Sequence, residues 1–148
     1  TRNSSSAASD VYKRQIVNLD QLKKAIDLGA DFGISPGFET EILKYAQENK
    51  FSYIPGVSTA SEIISCLKFD CNFLKLFPAE PLGGISYLNS LSGPFPDVSF
   101  CPTGGINSDN YLSWLSQKNV LCVGGSWIAP KNDNNYDKIK KRALEVFK

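Results

Sequence analysis

From Ile16 onward the apolar positions alternate between two spacings. Leu19, Leu22, Ala25 and Ile26 recur at helical intervals, with Asn18 ahead of them as a cap and Gln21 three residues after it. Gly29 closes that run, and Asp31–Ser35 then reads as a short strand punctuated by Pro36-Gly37. Helical spacing returns from Phe38 to Asn49 through Ile42, Leu43 and Ala46, and a strand follows over Ser52–Val57. Thr59-Ala60-Ser61-Glu62 has the form of a capping box and opens a helix through Ile63, Ile64 and Leu67. Next come a strand over Asn72–Phe77 and a helix over Gly84–Leu91, ended by Ser92-Gly93-Pro94. A strand at Val98–Pro102, a helix at Ser108–Gln117 and a strand at Val120–Gly124 complete the series. A last helix puts Tyr136, Ile139, Ala143 and Phe147 on one face and lysines opposite.

Strand starts recur about every 20–25 residues, the length of one strand and one returning helix. Repetition of that kind means parallel strands joined by right-handed crossovers. An open doubly wound sheet and a (β/α)8 barrel both fit the alternation. About five units cannot close an eight-strand barrel, whose smallest examples need about 200 residues. The glycine motifs Thr103-Gly104-Gly105 and Gly124-Gly125-Ser126 nevertheless follow the last two strands, where barrels commonly build a phosphate site. The expected fold is therefore an α/β TIM barrel, (β/α)8, truncated to its C-terminal strand–helix units over residues 16–148.

Residues 1–15, TRNSSSAASDVYKRQ, are Ser-rich and aperiodic, and the chain of 148 residues has no methionine. The run SSSAASDVYKRQ resembles translated adapter sequence, so the leader is expected to be non-native or disordered and is set aside from fold reasoning. The alternative is a natural disordered tail. An incomplete barrel of this kind is expected to leave its interior, Lys75 included, open to water and its outer strands unpaired.

Histidine is also absent, which removes Ser-His-Asp and Cys-His catalysis, the H-E-x-x-H helix and every Cys/His zinc finger. Hydrophobic residues make up 42% and charged residues 21%, as in one globular domain. Lys+Arg 16 against Asp+Glu 15 leaves a net charge of +1, so no sign-biased surface points to nucleic acid or to an acidic membrane. No apolar run approaches the roughly 20 residues that span a bilayer. Cys66, Cys71, Cys101 and Cys122 form no C-x-x-C pair, and Cys101 and Cys122 sit in apolar runs. They are expected to be reduced, buried thiols of a cytoplasmic protein.

Lys75 stands out in Phe73-Leu74-Lys75-Leu76-Phe77. With both faces of a parallel sheet covered, an ammonium at this position is desolvated; the neutral amine is favoured, and that is a nucleophile towards carbonyl carbon. The competing reading is an edge-strand lysine that snorkels to water. Gly104, Gly105, Gly125 and Ser126 lie at or just before expected helix starts, where close backbone amides and a helix dipole favour an anion. Pro36-Gly37 and Pro55-Gly56 end strands in two other units, and Pro36 is read as shaping the mouth of the site. Glu80, the carboxylate directly after the lysine strand, reads as a loop residue bonded to backbone rather than as a general base.

Six segments in order carry a resemblance: Ile34-Ser35-Pro36-Gly37, Ile54-Pro55-Gly56-Val57-Ser58-Thr59, Leu74-Lys75-Leu76-Phe77-Pro78-Ala79-Glu80, Gly93-Pro94-Phe95, Cys101-Pro102-Thr103-Gly104-Gly105-Ile106 and Gly124-Gly125-Ser126-Trp127. Together they resemble the 2-keto-3-deoxy-6-phosphogluconate (KDPG) and 4-hydroxy-2-oxoglutarate (KHG) aldolases. The resemblance implies a class I aldolase on a (β/α)8 barrel, homotrimeric at full length, that releases pyruvate and glyceraldehyde 3-phosphate. From the second substrate it would release pyruvate and glyoxylate. It implies Lys75 as the Schiff-base lysine, Gly104, Gly105, Gly125 and Ser126 as the phosphate site, and Phe77 and Thr103 beside the substrate. Neither a cofactor nor a metal is implied, and the partner is a small keto-acid phosphate. The family's catalytic glutamate and pyruvate-binding arginine lie on an earlier strand that this chain does not contain, and Gln15 stands where the family has a threonine. Two alternatives remain at this point: an aldolase for the galactonate isomer, and a non-catalytic phosphate-binding barrel.

Overall fold

The computed structural model describes residues 15–130, 133 and 135–146. The leader, Gln15 apart, and the place of Phe147 on the last helix fall outside these residues. Helix α1 (Leu19–Asp27) starts as its sequence dictates: Asn18 Oδ1 accepts from the Gln21 amide at 2.9 Å, and Gln21 Oε1 accepts from the Val17 amide at 2.8 Å. Strand β1 (Phe32–Ile34) leads to α2 (Thr40–Glu48), which begins two residues later than its periodicity indicates. Glu39 is the reason, since its carboxylate caps the helix by accepting from the amides of Glu41 and Ile42.

The expected strand at Ser52–Val57 is two short strands, β2 (Ser52–Ile54) and β3 (Gly56–Val57), divided at Pro55, which has no amide to donate. Helix α3 (Ala60–Leu67) carries the complete capping box. Strand β4 (Phe73–Leu76) and helix α4 (Gly84–Ser92) match their sequence patterns, as does β5 (Ser99–Pro102). Helix α5 spans only Tyr111–Leu115, because Asn107 and Asn110 capture the amides of Asp109, Asn110 and Asn107 and hold the approach in turns. The expected strand at 120–124 touches β5 through two parallel bridges only, Phe100 with Val120 and Thr103 with Gly124. The spacing changes by one residue between them, which is a bulge. Helix α6 (Tyr136–Val146) buries none of its described residues; Tyr136, expected on its apolar face, is 86% exposed.

All strand pairs are parallel and follow sequence order in two ladders, β1 beside β2 and β3 beside β4 beside β5, which meet where β2 runs on into β3 through Pro55. A doubly wound sheet would reverse that order at a switch point; a sequential arc is the wall of a barrel. Ile16 continues the wall, donating its amide to the Ile34 carbonyl at 2.9 Å. Leu74, Leu76 and Phe100 point outward into a cluster with Ile63, Leu88 and Trp114 from the helices. A second cluster joins Leu22, Ala25, Ile42, Leu43 and Ala46 to Tyr53. Burial of these outward faces leaves the alternate residues of β4, with Lys75 among them, on the concave side. Among the described residues no helix is long and apolar enough to cross a membrane.

Candidate active site

Lys75 occupies the centre of β4, paired in register with Gly56 of β3 on one side and Cys101 of β5 on the other. Its amide donates to the Pro55 carbonyl at 2.9 Å, which fixes the strand beneath the side chain. Only 1% of the residue is exposed, so the expectation that an incomplete wall leaves it open to water is not met. Small flanking residues and the ring of Phe77, whose centroid lies 4.6 Å from Nζ, close around it. Burial holds the amine below the ordinary 10.5, and a negative Cys101 would act in the opposite sense. Cys101 is itself held protonated, first by its hydrogen bond to Cys122 and then by burial, so it supplies no such charge near neutrality. Desolvation prevails, which is the condition for a nucleophilic lysine.

The two glycine motifs lie side by side at the C-terminal end of this wall. Thr103 donates its amide to the Leu76 carbonyl at 2.9 Å and bridges to Gly124, placing both turns next to the end of β4. Gly104 and Gly105 have φ of +96° and +86°, a conformation other residues rarely adopt. Gly125 is required for a different reason: the Trp127 ring folds back over it, and any Cβ there would collide with that ring. Among the described residues, the amides of Gly104, Gly105, Gly125 and Ser126 donate to no protein acceptor. Ser126 and Gly105 are exposed and the other two half-buried.

One element of the expected anion site is absent. Gly124-Gly125-Ser126 does not open a helix; the chain turns through Trp127, which packs against Tyr111 with ring centroids 5.8 Å apart. The five-residue α5 begins six residues beyond Gly105. An anion placed here would therefore meet backbone amides rather than helix dipoles. Pro36 packs on Gly56, the register partner of Lys75: a Cβ on Gly56 would strike the Pro36 carbonyl, and Gly56 donates to the Gly37 carbonyl at 3.0 Å. Cys122, expected to be buried, is exposed, because the bulged segment has left the ladder. Glu80 is bonded to side chains, Trp114 and Asn110, and not to backbone carbonyl or amide groups through its carboxylate. Sequence reading placed Gly56 at a strand end and Cys101 in an apolar run without seeing either as a neighbour of Lys75, and it missed Asn110 and Trp114. Counting register from Lys75 would have found the first two, whereas the last two carry no local signal.

The fold and the site define a TIM-barrel-type protein arranged around a buried lysine and a cradle of glycine amides. The model of the KDPG and KHG aldolase family matches residues 11–142, starting inside the stretch read as a leader, and the chain belongs to that family. It is 44% identical over 134 residues to the KHG/KDPG aldolase of Escherichia coli K12, covering 88% of this chain. It is 43% identical to the 2-dehydro-3-deoxy-phosphogluconate aldolase of Dickeya dadantii. In each case the chain spans 63% of the relative's length. Among solved structures it is similar to the KDPG aldolase of Legionella pneumophila, captured with pyruvate as a covalent carbinolamine (TM-score 0.84, 42% identity, 88% of this chain and 65% of that one). A Zymomonas mobilis KDPG aldolase with 3-phosphoglycerate is also similar (TM-score 0.82, 36% identity, 88% and 61%).

Proposed function

We propose that this chain, extended to the length of its relatives, is a class I aldolase that cleaves 2-keto-3-deoxy-6-phosphogluconate to pyruvate and glyceraldehyde 3-phosphate. 4-Hydroxy-2-oxoglutarate is the second substrate, cleaved to pyruvate and glyoxylate. The observation that carries this reading is Lys75: a desolvated amine on the concave face, flanked by Gly56 and Cys101. Lys75 Nζ attacks the keto carbon to give a carbinolamine, which loses water to form the iminium. With the C4 hydroxyl proton passed to a base, the C3–C4 bond breaks: its electron pair forms the C2=C3 bond of an enamine, the C=N π pair moves to nitrogen, and the aldehyde departs. The enamine takes up a proton at C3, and water releases pyruvate and the free lysine. Gly104, Gly105, Gly125 and Ser126 hold the phosphate through amides and the Ser126 hydroxyl, while Phe77 and Thr103 border the keto acid and Pro36 the mouth.

Glu80, whose Oε1 accepts from both Trp114 and Asn110, is not assigned the task of proton acceptor. The resemblance assigns that task to a glutamate of an earlier strand. It also supports a cytoplasmic homotrimer for the full-length protein.

Incubation of the extended protein with pyruvate and borohydride is expected to leave a stable adduct on Lys75. Lys75→Ala should give neither adduct nor turnover, and Lys75→Arg should do no better, because guanidinium stays protonated. Near-normal cleavage by either variant would reject the assignment.

A further inference from the structure

The turn after β4 is joined to the glycine turn after β5 by a cluster centred on Glu80. Its Oε1 accepts from Trp114 Nε1 at 2.7 Å and from Asn110 Nδ2 at 3.1 Å. The same Asn110 amide donates to the Gly105 carbonyl at 3.1 Å. Two backbone bonds run alongside: Ala79 N to Thr103 O at 2.8 Å and Glu80 N to Gly104 O at 3.0 Å. A Cβ on Gly105 would lie 2.5 Å from that of Glu80, so the stem packs directly on the turn.

We infer that Glu80 is a positioning residue that orients the Gly104-Gly105 amides towards the bound phosphate and fixes their distance from Lys75. This inference rests on the reading of Lys75 as nucleophile and of the glycine turns as phosphate cradle. In a planar trans peptide the carbonyl and the following N–H point in opposite directions. Anchoring the carbonyls of Thr103, Gly104 and Gly105 towards Ala79, Glu80 and Asn110 therefore turns the amides of Gly104, Gly105 and Ile106 the other way, together. Successive glycines have little intrinsic resistance to rotating those planes, so the anchors decide the geometry. Asn110 can serve as the third anchor because Glu80 holds its amide group in place.

Trp114 is fully buried, so its N–H has no solvent to replace the carboxylate.

The test uses the protein extended to its relatives' length, with Glu80→Ala, Glu80→Gln and Asn110→Ala compared on phosphorylated and unphosphorylated keto acids. Glu80→Ala should raise KM for the phosphorylated substrate about ten-fold, the share of one charge-assisted bond. Its kcat, its KM for 4-hydroxy-2-oxoglutarate and its borohydride trapping of pyruvate should change much less. Glu80→Gln should recover most of the loss, because its amide oxygen still accepts. Asn110→Ala should reproduce the split, and it carries the test if Glu80→Ala does not fold. Equal losses on both substrates, or no change in KM, would overturn the inference. If the parent protein fails to trap pyruvate, the aldolase reading falls. Calorimetry with inorganic phosphate then decides the role of Glu80: weaker binding in the variants supports it, and absent or unaltered binding refutes it.

Discussion

Lys75 was legible because a charge inside an apolar strand is costly, and its burial has a consequence for stability. Its folded-state pKa lies below the ordinary 10.5, so between those two values the unfolded chain binds more protons than the native one. Stability contributed by this group therefore rises with pH across that window and is lowest below it. Lys75→Met should be more stable than the parent at neutral pH, with the advantage shrinking as pH climbs towards the ordinary lysine value. Cys66 and Tyr53, both pushed up to about 12 by burial, act in the opposite sense in alkali but cancel in the comparison. Denaturant unfolding of the two proteins across that range checks the sign; a constant difference would mean that the lysine titrates normally. Glu80 was not legible in the same way. Its partners lie 30 and 34 residues away, and no local spacing announces them.

At the scale of elements, what could be read was what is encoded locally. The box at Thr59 was visible as a spacing of three, but its energetics were not. Glu62 Oε2 accepts from the amides of Ser58 at 2.7 Å and Thr59 at 2.8 Å, whereas Thr59 Oγ1 accepts from the Glu62 amide at a long 3.4 Å. Thr59→Ala should thus cost about 1 kcal/mol or less. Glu62→Ala, which orphans two amides, should cost about 1–3 kcal/mol. The shift in urea midpoint for each variant, at unchanged slope, measures both. A larger loss for Thr59→Ala would contradict this ordering. The split at Pro55, the short α5 and the bulge before Gly124 escaped the sequence because each depends on which amide finds which partner across the sheet or in a turn. Apolar spacing does not report that.

For the whole molecule, the alternation of strands and helices gave parallel strands but left an open sheet and a barrel both standing; the glycine motifs pointed to the barrel, and the sequential strand order agrees with it. Periodicity could not indicate that so few strands would still enclose Lys75. Among the described residues β1 has a paired strand only on the β2 side, and Phe32 on it is 51% exposed. An edge of this kind recruits other chains. The chain by itself should elute as heterogeneous assemblies on size-exclusion chromatography and unfold at lower denaturant than a version extended to its relatives' length. In a coupled pyruvate assay it should be far less active. A monodisperse chain of matching activity would show that the upstream strands are dispensable.

The order of the strands also bears on how the chain is made. Strands β2, β4 and β5 each add to the strand completed before them in their ladder, β1, β3 and β4 respectively. As the polypeptide leaves the ribosome, β2, β4 and β5 each emerge to find a hydrogen-bonding neighbour already synthesised. The lysine strand has a ladder partner on each side once β5 has followed it out, before the second glycine turn is made.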